Sequence, residues 1–69
     1  MQPPHDRKSD LRSGNASIKD LLRIANAKIV EGNFYDAADT YTEIIELASW
    51  LRASAERMDE RWRREAIGA

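Results

Sequence analysis

From Ile18 onward the large apolar residues recur at helical spacing. Ile18, Leu21, Leu22, Ala25 and Ile29 keep the three-and-four interval of one helical face, and Ile24 widens it. Ser17 precedes the run as an N-cap, with Asp20 three residues on to accept from the cap and favour the positive helix end. Gly32 follows as a left-handed stop. The pattern predicts a first helix over about 18–31. Asn33 then caps a second helix, with Asp36 in the same relation to it. So short a connection makes the two helices antiparallel neighbours.

The second helix carries the longer pattern. No glycine or proline falls between Asn33 and Gly68. Phe34, Tyr41, Ala48, Ala55 and Trp62 recur at intervals of seven, and Ala37, Ile44, Leu51 and Met58 stand three residues after them. That is a coiled-coil-like seam, broken where Glu65 would continue it. Asp59 with Arg63, Glu60 with Arg64 and Arg61 with Glu65 are opposite charges four apart on the outside. The pattern predicts one helix over about 34–66, roughly 50 Å long at 1.5 Å per residue. A break near Ala48–Ser49, giving a third helix, is the competing reading. Residues 1–16 offer two prolines, a glycine and, beyond Met1, only Leu11 as a large hydrophobe, and read as a flexible arm. The expectation is an all-α protein: an antiparallel helical hairpin with a long second helix, its single domain over 17–67.

Composition narrows the chemistry. A chain of 69 residues buries a marginal core and usually needs a disulfide, a metal or a partner. With no cysteine, disulfides, thiolate zinc sites and thiol nucleophiles go together. The single histidine, His5, lies in the polar N-terminal segment. Net charge is −1, distributed as about +1 over 1–16, −3 over 17–51 and +1 over 52–69. That balance gives no broad basic field for nucleic acid, although "RWRRE" sets a tryptophan among arginines and keeps weak binding as a minor alternative. Asp36, Asp39, Glu43 and Glu46 form an acidic flank, but acid–base work needs buried carboxylates and these read as solvated. No phosphate-binding glycine loop and no Glu-x-x-His pair occur. No catalytic, cofactor-binding or metal-ligating residue is assigned, and no enzyme activity is expected. No apolar run approaches bilayer length, so a cytoplasmic protein without a membrane span is expected.

Residues 21–47 resemble a tetratricopeptide-repeat helix pair. Leu21, Ile24, Ala25, Gly32, Phe34, Ala37, Tyr41 and Leu47 match its large, large, small, turn-glycine, aromatic, small, aromatic and large positions. Lys28, Ile44 and Ser49 depart from the family pattern, where an aromatic, a small residue and a proline usually stand, and no second copy follows. A weaker resemblance, carried by "GNFYDAADTY", is to the three-helix microtubule-interacting-and-transport domain. The repeat resemblance implies a protein-binding adaptor or chaperone-like role. Asn26 falls where some family members hold a peptide carboxylate, with Leu22 in place of the assisting lysine.

Helix lengths carry the functional expectation. A first helix over 18–31 covers the second only to about Leu47, leaving Trp50, Leu51, Ala55, Met58 and Trp62 without cover. Burying a large apolar side chain is worth about 1.5–3 kcal/mol, so such an overhang should recruit a protein. The expected partner is a second copy in a four-helix homodimer, with Leu47, Trp50, Leu51, Ala55, Met58 and Trp62 as the self-association interface. Lys19, Arg23, Asn26, Asp39 and Glu43 are the candidate residues for a further protein partner. The alternative is a subunit of a hetero-assembly whose C-terminal helix docks on a different protein.

Overall fold

The structure, a computed structural model, describes residues 7–68. Met1–Asp6 and Ala69, and with them His5 and the first part of the expected arm, lie outside the described residues. Two helices make the fold: α1, Lys8–Val30, and α2, Phe34–Gly68. They form an antiparallel hairpin 56 Å long, 23 Å wide and 16 Å thick. The second helix runs through Ala48 and Ser49 without a break, so there is no third helix among the described residues.

The connection works as its residues suggest. Gly32 adopts φ 78°, the left-handed conformation that closes a helix. Its N–H donates to the Ile29 carbonyl at 3.0 Å, and the Asn33 N–H donates to the Lys28 carbonyl at 2.8 Å. These are the two bonds of a Schellman stop. Asn33 then receives the Asp36 N–H at its Oδ1, 3.3 Å away, while its amide nitrogen donates to the Asp36 carboxylate at 2.7 Å. Asn33→Ala removes this cap and should cost about 1 kcal/mol, read as a lower thermal midpoint at equal protein concentration.

The first helix begins ten residues before the expected start at 18, so residues 8–16 are helix and not arm. Arg7 occupies the N-cap in an extended conformation (φ −122°, ψ 153°) with no side-chain cap bond, whereas Ser17, expected as the cap, sits exposed within the helix. The reason is tertiary. Leu11, Gly14, Ile18, Leu21, Ala25 and Lys28 form one covered row at alternating intervals of three and four. Gly14 is its closest point: a Cβ built there would fall 2.9 Å from Leu51 Cδ1 and 3.0 Å from Leu51 Cγ. What reads locally as a loop glycine is the position that lets the two helices touch. Packing against α2 carries α1 across a stretch whose own propensity would not hold it.

On α2 the covered row is Ala37, Thr40, Ile44, Leu47, Leu51, Ser54 and Met58. Ala37, Ile44, Leu51 and Met58 were expected on the seam. The other half of the seam, however, is Thr40, Leu47 and Ser54, not the aromatic-bearing row of Phe34, Tyr41 and Trp62. Small residues explain the choice, since Gly14, Ala25, Ala37 and Ser54 bring the backbones close and leave no room for rings. The Thr40 hydroxyl, buried in this seam, donates to the Asp36 carbonyl one turn back at 2.9 Å. Lys28, at the seam's turn end, is half-buried, as a lysine stem lying on apolar surface can be.

Candidate interaction surface

Gly14 facing Leu51 fixes the register. With equal rise on both helices, Leu21 comes level with Ile44 and Lys28 with Ala37. In an antiparallel pair, the flank four residues after one seam row on α1 shares a side with the same flank on α2. Reversing the chain and turning the helix to face its partner are two inversions that cancel. On α1 this flank is Asn15, Leu22 and Ile29; on α2 it is Phe34, Tyr41, Ala48, Ala55 and Trp62, with Ile45 beside them. All are exposed. Six of the eleven exposed large hydrophobics among the described residues therefore gather on one broad side of the rod, among them Phe34 at 67% and Trp62 at 68% exposure.

The opposite broad side is different. Asp10, Ser17, Ile24 and Glu31 of α1 share it with Asp36, Glu43, Trp50 and Arg57 of α2. It is a polar, mostly acidic side with two apolar residues set into it. The hairpin is thus amphipathic across its thickness, beyond the seam that joins its helices.

The six residues expected to form one self-association interface do not share a face. Leu51 is buried within the hairpin against Gly14, and Leu47 and Met58 are half-buried on the seam. Ala55 and Trp62 lie on the apolar side, while Trp50 lies on the polar side. The cause is the longer α1, which reaches far past the level of Leu47. The overhang is shorter than expected but present. At 35 residues against 23, α2 outruns α1 by about 18 Å, and Trp62 stands on that projection.

The residues expected to bind a further partner are all exposed but dispersed. Lys19 and Asn26 edge the apolar side, Arg23 and Asp39 point away from the seam, and Glu43 is on the polar side. Arg23 pairs with Asp20 at 3.1 Å. Phe34, Tyr41 and Ile45 are the surface residues that the sequence pattern misplaced or passed over. For Phe34 and Tyr41 the signal was the same seven-residue repeat, assigned to the hairpin's own core, whereas Ile45 stands outside that repeat.

Further charges pair on the surface along α2. Asp59 and Arg63 meet at 3.0 Å, as the spacing predicts, and Arg52 meets Glu56 at 3.2 Å. Exposed pairs of this kind contribute about 0.3–0.5 kcal/mol each, enough to favour helix and too little to define a site. Among the described residues no pocket opens and no cluster of metal-ligating side chains assembles. Nor is any helix there long and apolar enough to cross a membrane. What the arrangement offers is one broad side on which exposed apolar residues gather, bordered by Lys19, Arg52 and Asp59. No protein-family model matches the chain, and comparison with curated proteins and with solved structures likewise returns no match.

Proposed function

We propose that this chain is a non-catalytic protein–protein interaction module, an adaptor or regulatory protein in the manner of a single tetratricopeptide-like hairpin, that self-associates. The observation carrying the reading is an imbalance. Among the described residues only Ala25, Ala37 and Leu51 are buried hydrophobics, while Leu22, Ile29, Phe34, Tyr41, Ile45 and Trp62 stand exposed on one side. A soluble monomer rarely leaves such a patch open, and a core of three residues is thin for a domain of this size. The interface moves from the C-terminal half of α2 alone, where the lengths first placed it, to the whole apolar side of the hairpin.

A second, compatible reading concerns the polar side. Trp50 is 45% exposed there, an aromatic anchor on a polar side suited to a different protein. Sedimentation equilibrium tests both statements. The intact chain should sediment above the monomer mass at micromolar concentration, and Trp50→Ala should leave that mass unchanged. A monomer at all concentrations removes self-association, and a Trp50→Ala monomer places the interface on the wrong side.

A further inference from the structure

The apolar side also specifies how a second copy must sit on it, an inference that rests on the self-association just proposed. The geometry points to two hairpins packed face to face and head to tail about a two-fold axis crossing α2 at Ala48. The argument begins with side-chain size along α2. Phe34 and Tyr41 are bulky, Ala48 and Ala55 are small, and Trp62 is bulky again. Reversing the row about Ala48 sets Tyr41 against Ala55 of the second copy and Phe34 against its Trp62, while the two Ala48 residues meet on the axis. Large then meets small along the middle of the contact, and two aromatics close each end.

The overhang decides between the two-fold arrangements. An axis running along the rod lays α1 over α2 of the second copy, so Trp62 of each copy extends past the α1 that faces it. An axis across the rod carries each overhang over the turn end of the other hairpin, where Phe34 is exposed. Only this arrangement uses the length difference between α1 and α2. The aromatics supply much of the area. Phe34, Tyr41 and Trp62 leave roughly 350 Å² open, taking an aromatic side chain as about 200 Å² and their exposures of 67%, 41% and 68%. Ile45 and the two alanines add to this along α2, against the ~800 Å² per partner that a stable dimer buries.

The absence of native cysteine makes the test direct. Ala48→Cys places one thiol per chain on the two-fold axis, where helices meeting through alanine approach to about 8 Å and Cα atoms come within bridging reach. Mild oxidation of the full chain should convert most of it to a covalent dimer, while Ser49→Cys, one residue away on the outer surface, stays reduced. A second arm, Phe34→Cys mixed with Trp62→Cys, should give the cross-linked heterodimer in preference to either homodimer. A chain that sediments as a dimer with the Ala48→Cys thiol unbridged overturns the head-to-tail register but leaves self-association standing. A chain that sediments as a monomer overturns both.

Discussion

Gly14→Val should destabilise the hairpin by about 1–3 kcal/mol, the usual cost of overpacking a filled site. That corresponds to a thermal midpoint lower by about 4–8 °C for each kcal/mol in a chain of this size, compared at equal protein concentration. The direction is informative because local helix preference argues the other way. Glycine inside a helix costs roughly 0.5–1 kcal/mol relative to alanine, and even valine recovers part of that. Only the contact with Leu51 reverses the sign, since a Cβ at position 14 already falls 2.9 Å from Leu51 Cδ1 and a valine adds two methyls. The companion measurement is the double variant with Leu51→Ala. If the two residues touch, the valine should cost less where Leu51 has been trimmed, with a coupling of at least about 0.5 kcal/mol in the double-mutant cycle. Strictly additive changes would show that α1 does not reach this far along α2.

Trp62→Asp should disrupt association while leaving the helices in place. Trp62 projects from the part of α2 that outruns α1 and is 68% exposed, so the hairpin itself loses little. A buried interface tryptophan typically contributes about 2–4 kcal/mol, equivalent to a dissociation constant raised about 30- to 1,000-fold. Sedimentation should therefore shift toward monomer with the helical circular dichroism signal largely retained. Leu51→Asp makes the contrast: it puts a carboxylate into the seam beside Gly14, and both helicity and association should fall together. A Trp62→Asp protein that associates with unchanged affinity would place the overhang outside the interface.

The turn was legible from six residues. "EGNFYD" holds a glycine that can take positive φ, an asparagine that can cap and an aspartate at the matching interval, and each does so. The unbroken α2 was legible as well, because nothing between Asn33 and Gly68 could interrupt it. The start of α1 was not. "RSGNA" carries residues that locally favour turns, and only the distant Leu51 gives Gly14 a reason to be helical.

The exposed apolar side was half legible for a related reason. The row Ala37, Ile44, Leu51 and Met58 can pair with the residues three before it or three after it. Hydrophobicity favours the first set, with Phe34, Tyr41 and Trp62. Close approach of the backbones favours the second, with Thr40 and Ser54. Which set turns inward depends on Gly14 and Ala25 across the seam, and that is a property of the pair of helices, invisible in α2 alone. The exposed aromatics follow from the same choice: a seam narrow enough for glycine sends the rings outward.

That narrow seam bears on how the chain melts. Much of the apolar surface sits here on the outside, so on the proposed self-association the persistence of the rod depends on the copy that dries that surface. Anything bound only by the folded form raises its stability in proportion to the logarithm of its concentration. On the self-association proposed above, crowding many copies together and stabilising each of them become the same act.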